Sequence, residues 1–265
     1  MGISCSCARQ ADHSCAVINS SIVSKQSVPL DTSSSSTVNR DLKTYLEENQ
    51  AYMNEKLVQL FSAAIEKPAE ALVSIQLKLC SMSERDWVHF ATLVQYGKAA
   101  VQFMVRKTNV SRLGFCLLCS NLEVFTGLKT LVLEDVGLGY HQMSLFVDGL
   151  KRLEGLKSLN LAANRLTSDH MVQLIPAFYH HRSLTELNLD ENQLKDSGCA
   201  LLCSNIDSLP LLTRLSLRYN AIQALGVSCL LAIVETRWIQ VCAEGNMIQQ
   251  IDLEHLQLAE TCPSC

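Results

Sequence analysis

Long apolar runs are missing from this 265-residue chain. Charge interrupts every apolar stretch, so none offers the ~20 continuous residues that a membrane-spanning helix requires. No basic segment leads into an apolar run near the start, which argues against a secretory signal. The short motifs of common catalytic chemistries are missing as well. There is no phosphate-cradling glycine loop, no H-E-x-x-H metal pair and no G-x-S-x-G nucleophile turn. We therefore expect no enzyme, no cofactor, no metal and no small-molecule substrate. An excess of basic residues is lacking too. With a net charge of −4 and a pI near 6.0, the chain has no field suited to nucleic-acid phosphates, and no nucleic-acid partner is expected.

Cysteine is plentiful. Twelve cysteines without a secretory signal point to reduced thiols rather than a disulfide framework. Cys116 and Cys119 have C-x-x-C spacing but no second pair nearby, so Cys119, Cys203 and Cys229 read as small core residues. Cys262 to Cys265 is formally a C-a-a-X end. Pro263 and Ser264 are not aliphatic, however, which leaves a flexible tail as the reading. His180 and His181 read as a solvated loop pair, and Met143 and Met171 as core filling.

The strongest positive signal is a period. Leu72, Ala100, Leu128, Leu156, Leu184 and Leu212 are spaced by 28 residues, and each starts a pattern of apolar residues at offsets 0, 3, 5 and 10. All 24 of those positions are apolar in a chain that is 48% apolar, an outcome of chance probability ~10⁻⁸. A seventh window, from Trp238 to Ile248, follows after 26 residues. Apolar residues at offsets 3 and 5, with polar ones between them, suit a short strand that buries alternate side chains. Return segments such as 198–206 (GCALLCSNI) carry helical spacing instead. One strand and one helix per unit stack into a curved α/β solenoid.

The windows, for example LKSLNLAANRL at 156–166 and LTELNLDENQL at 184–194, resemble the leucine-rich repeat, and the 28-residue length resembles its ribonuclease-inhibitor subclass. The resemblance implies a parallel sheet on the concave side and helices on the convex side. It also implies that offset 8, held by Cys80, Thr108, Val136, Asn164, Asn192, Asn220 and Asn246, turns inward to bond the backbone. Val136 has no polar atom there, which puts its turn in doubt. Residues 39–71 have helical spacing in Leu42, Leu46, Leu57, Leu60, Phe61 and Ile65 and are expected to form a helical N-terminal cap. Repeats are expected over 72–250, with a C-terminal cap and tail over 251–265.

Residues 1–38 are Ser-rich and bury too little to fold alone. They begin Met-Gly-Ile-Ser-Cys-Ser, which fits N-myristoylation of Gly2. One myristoyl chain holds a membrane only marginally, and Arg9, Lys25 and Arg40 are the only basic residues before position 43. Palmitoylation of Cys5 or Cys7 would supply the second signal. The expectation is a peripheral protein on a cytoplasmic membrane face, the plasma membrane, with a tail acting as a tether.

In the resembled architecture, offsets 2, 4, 6 and 7 line the concave face, where charge alternates by repeat. Arg106 is followed by Glu134, then uncharged Asn160, Ala162 and Ala163, then Asn188 and Asp190, then Arg218 and Tyr219. Such a surface suits a polypeptide rather than a polyanion, and Tyr219 beside Arg218 is the preferred contact pair. A protein-binding scaffold is the leading reading, with the convex side and the cap as alternative contact surfaces. Ran GTPase-activating proteins share this repeat class and would nominate Arg106, Arg165 or Arg218 by analogy. The repeats of NOD-like receptors and of the tropomodulin C-terminal half give immune-sensor and actin-regulatory alternatives.

Overall fold

The computed structural model describes residues 35–67 and 72–247. Gly2, Cys5 and Cys7, and the C-terminal cap expected beyond residue 250, lie outside them. Two helices lead, α1 (Ser35–Asn49) and α2 (Glu55–Glu66). Then strands and helices alternate: β1 (Ser74–Lys78), α3 (Glu84–Val94), β2 (Gln102–Arg106), α4 (Arg112–Asn121), β3 (Thr130–Glu134), α5 (Tyr140–Leu150), β4 (Ser158–Asn160), α6 (Ser168–Phe178), β5 (Glu186–Asn188), α7 (Lys195–Ser204), β6 (Arg214–Ser216), α8 (Ala224–Thr236) and β7 (Gln240–Cys242). The seven strands form one parallel sheet in sequence order, and the chain is an α/β leucine-rich repeat solenoid.

The period is the register. Ser74 pairs with Gln102, Gln102 with Thr130, Thr130 with Ser158, Ser158 with Glu186 and Glu186 with Arg214, each 28 residues on; Arg214 pairs with Gln240 after 26. Offsets 3 and 5 point into the core, so Leu131, Leu133, Leu159, Leu161, Leu187 and Leu189 are all buried. The chain turns at offset 7 in every repeat for a common reason. Leu79, Lys107, Asp135, Ala163, Glu191, Tyr219 and Gly245 all hold φ between +48° and +74°, the left-handed region, which ends the pleat and turns the chain toward the next helix.

Past that turn, the offset-8 asparagines form a ladder. Asn192 Oδ1 accepts from Asn164 N (3.1 Å) and Leu166 N (2.9 Å) of the preceding repeat, while its Nδ2 donates to the carbonyls of Leu161, Leu189 and Asp190. Asn164 does the same for Val136 N (3.1 Å) and Leu138 N (3.3 Å). The doubt about Val136 is thereby corrected. Its own turn is bonded by the next repeat, and what a valine cannot do is serve the turn before it, at Thr108. Thr108 itself serves the turn one repeat earlier, its hydroxyl donating to Arg106 O (2.9 Å) and accepting from Cys80 N (3.5 Å).

The N-terminal helices cover the first repeat. Leu42, Leu57 and Phe61 are buried, Tyr45 stacks on Phe61 with ring centroids 5.6 Å apart, and the Tyr45 hydroxyl bonds His89 Nδ1 at 2.8 Å. Asn54 caps α2 and donates its backbone N–H to Asp86 Oδ1 (2.6 Å), the same carboxylate that closes the capping box of α3 with Ser83. Asp86 is therefore buried but fully engaged.

Three expectations are corrected. Trp238 occupies offset 0, where the other repeats bury an apolar side chain, yet it is 76% exposed. The 26-residue repeat lacks the residue that sits at Leu209 one unit earlier. In its stead the Arg237 guanidinium donates to the carbonyls of Ile206 (2.8 Å) and Leu209 (2.9 Å). His181 is not solvated; His180 is, but His181 is fully buried at the position held by Phe125, Leu153 and Leu209 in other repeats. Cys203 and Cys229 are only half-buried, because they lie between α7 and α8 near the surface, whereas Cys119 is in the core.

Candidate functional site

The concave face is built by the outward side chains of β1 to β7, arranged in rows that cross the strands. One row runs Lys78, Arg106, Glu134, Ala162, Asp190, Arg218, Glu244. Alternating charge puts opposite signs on adjacent strands, and the structure joins several of them. Arg106 Nε lies 3.4 Å from Glu134 Oε2, Arg218 Nε bonds Glu244 Oε2 at 2.6 Å, and Arg214 pairs with Glu186 at 2.9 Å in the row of offset 2. The Glu244 carboxylate pushes the Arg218 guanidinium pKa up. Asp190 is turned inward on its own face, accepting from Ser216 Oγ (2.6 Å) and Arg218 N (2.8 Å). The charged residues singled out from the sequence are therefore brought together with one another, which lowers what each can offer a ligand.

Asn160 and Asn188 behave differently. They are directly paired across β4 and β5. Each has its Oδ1 held by a backbone N–H two residues on, Asn160 by Ala162 N and Asn188 by Asp190 N, both at 2.8 Å. The carbonyl half of each amide is thus fixed, while neither Nδ2 has a partner among the described residues. Two oriented donors stand side by side, and beyond them Ala162 and Ala163 leave a hollow. Tyr219 is 60% exposed and lies over Gly245, where an added Cβ would strike its ring. Gly245 thus serves both the left-handed turn and the seat of the tyrosine.

Sequence reasoning missed a second feature. At the rim where strands lead into helices, a cleft of about 600 Å³ is lined by Lys107, Asp135, Gly137, Arg165 and His170 among others. His170 Nδ1 accepts from Thr167 N at 3.1 Å as part of the cap of α6, and burial holds its pKa below the ordinary range, partly offset by Asp169. On the convex side Cys199, Cys203 and Cys229 gather where α7 meets α8. The Cys203 contact and burial push the Cys199 thiol up, and the same contact draws Cys203 down. Among the described residues no group of side chains has metal-holding geometry. No described helix is long and apolar enough to cross a membrane.

Comparison with known proteins agrees with the repeat. A family model described as Leucine Rich repeat matches residues 180–203 and 208–231. No curated protein matches the sequence. Among solved structures, an internalin from Listeria monocytogenes is similar over 62% of this chain and 67% of its own, at 17% identity and a TM-score of 0.27.

Proposed function

We propose that this leucine-rich repeat solenoid is a non-enzymatic scaffold that binds a protein partner across its concave face. On this reading, acyl chains on Gly2 and on Cys5 or Cys7 hold it at the cytoplasmic face of the plasma membrane. Repeat proteins of this architecture generally act as interaction modules, and such a tether raises the effective concentration of a partner on the same surface.

One observation carries the binding half. The Asn160 and Asn188 amides are oriented by their own backbone bonds yet keep free donors in the middle of a curved sheet. A polypeptide main chain supplies the acceptors such donors need. Tyr219, large, exposed and seated on Gly245, adds an aromatic contact of the kind that dominates interfaces. The tether half is supported by the sequence of residues 1–7 alone.

Asn160→Asp with Asn188→Asp tests the face directly. Each carboxylate keeps the acceptor for the backbone N–H two residues on and removes the outward donor. Because the two like charges are neighbours across β4 and β5, a urea midpoint of the double variant accompanies the test. Proximity labelling with full-length wild type should recover at least one protein that the double variant loses by roughly tenfold or more. Identical protein sets would remove the concave face from consideration.

The GTPase-regulator alternative is narrowed. Arg106 and Arg218 are engaged by Glu134 and Glu244, whereas Arg165 is exposed at the rim cleft with no ion pair among the described residues. Stimulated GTP hydrolysis that is lost in Arg165→Ala would favour that alternative.

A further inference from the structure

Because all seven strands are parallel, every connection from a helix back to a strand lies on one rim of the solenoid. That rim has a composition of its own. Lys98 precedes β2, Lys129 precedes β3, Lys157 precedes β4 and Arg182 precedes β5, so one such cation stands in each of four successive helix-to-strand connections. All four are exposed. None meets a carboxylate within ion-pair distance among the described residues, and the Lys129 ammonium reaches only the Gly155 carbonyl, at 3.3 Å. Three further cations on this rim, Lys151, Arg152 and Arg237, are paired with Asp148, Glu123 and Asp207 and cancel them. Glu154 and Glu235 are exposed carboxylates of the same rim with no ion pair among the described residues. In a chain of net charge −4, this edge keeps a small positive excess, four cations without an ion pair against two such carboxylates.

Some of the molecule's exposed apolar groups also stand on this rim. Val101, Tyr179, Leu211 and Trp238 are 38%, 59%, 58% and 76% exposed, against 3% for Leu212, which holds the offset of Trp238 one repeat earlier. Strands lie about 4.8 Å apart, so the five intervals from Lys98 to Trp238 span about 24 Å. A row of Lys and Arg ending in an exposed indole has the chemistry of the anionic membrane interface. The cations meet lipid phosphates and carboxylates, and the amphipathic ring sits at headgroup depth.

We propose that this helix-to-strand rim docks on an anionic lipid surface, with Lys98, Lys129, Lys157 and Arg182 at the headgroups and Trp238 and Leu211 entering the interface. The proposal extends the membrane-tethered reading given above. It supplies, in folded form, the basic second signal that residues 1–42 lack, since a single acyl chain holds only marginally. The rim borders the concave sheet without being part of it, so docking leaves Asn160 and Asn188 open to a partner.

The test uses the full chain made without acylation, so that a missing acyl chain and a missing rim contact fail separately. It is sedimented with vesicles of neutral phosphatidylcholine, and with vesicles in which about 30% is replaced by phosphatidylserine. Binding is expected only to the serine lipid, weakened about tenfold or more in Lys129→Glu/Lys157→Glu and stripped by roughly 0.5 M salt. Of the two tryptophans, Trp87 is fully buried, so a blue shift on adding vesicles reports Trp238 and should vanish in Trp238→Ala. Unchanged urea midpoints confirm that the variants fold. Binding without lipid-charge dependence, or equal binding by the double variant, overturns the proposal. Retention on poly-glutamate with no vesicle binding assigns the rim to an acidic polypeptide and overturns it too.

Discussion

His181 is a titratable ring enclosed where its counterparts in other repeats are Phe125, Leu153 and Leu209. Burial drives its pKa down to about 4, helped by neighbouring His180. The carbonyls of Leu153 and Leu150 lie close enough to temper this without completing a hydrogen bond to either ring nitrogen. The sign follows from which state takes the proton. Between pH ~6.5 and about 4 the unfolded chain protonates this ring and the folded chain does not, so stability is lost as pH falls through that window. His181→Leu, which restores the side chain found at Leu153 and Leu209, should remove the effect. Wild type is expected to lose roughly 2 kcal/mol between pH 7.5 and 5 from this group, and the variant not to lose it. Urea midpoints at the two pH values check this. Equal pH slopes would show that His181 finds a proton-accepting contact in the fold. The 28-residue period does separate His181 from His180, because only His181 falls in line with Phe125, Leu153 and Leu209. Burial here depends on the register of the loop, which is visible only when the repeats are superposed.

At the level of elements, the strands were legible because a 28-residue period is at once a sequence spacing and a hydrogen-bond register. The turn at offset 7 was not, because Leu79, Lys107, Asp135, Ala163, Glu191 and Tyr219 share no chemistry, only a left-handed backbone that Gly245 alone adopts without strain. The pairing of α3 with α4 was also hidden. Gly114 lies against the indole of Trp87, and a Cβ there would come within 2.5 Å of the ring. Trp87 is fully enclosed and packs edge-on against Phe90, whose ring stacks on Phe103, so the indole has nowhere to retreat. Gly114→Ala, favourable for an isolated helix, is instead expected to destabilise by about 2 kcal/mol or more. Gly198→Ala at the equivalent place in α7, where the nearest heavy atom is 3.0 Å away, should cost less. Thermal melts of both variants check the order. A stabilised Gly114→Ala would mean the α3–α4 interface is looser than described.

Across the whole molecule, the sequence displayed alternating charge on the concave face but not its consequence. Opposite signs one repeat apart are neighbours in space, so Arg218 is hydrogen-bonded to Glu244 and Arg106 forms a looser ion pair with Glu134. What remains for a partner is more neutral: two fixed amides, a hollow beside Ala162 and Ala163, and Tyr219. Cations without an ion pair also stand on the helix-to-strand rim, where Lys98, Lys129, Lys157 and Arg182 are far apart in sequence and brought to one edge only by the fold. The molecule is thus read as three working surfaces, a sheet for a partner, a rim for lipid, and a tail to be acylated. The claim that unites them is membrane residence. The most direct measurement is fractionation of cells expressing full-length wild type beside Gly2→Ala, with Cys5 and Cys7 intact and the membranes washed at high salt to strip the electrostatic contact of the rim. Wild type is expected to stay in the washed membranes and Gly2→Ala to become soluble. Equal solubility of the two, or equal retention, would contradict an acyl tether at Gly2.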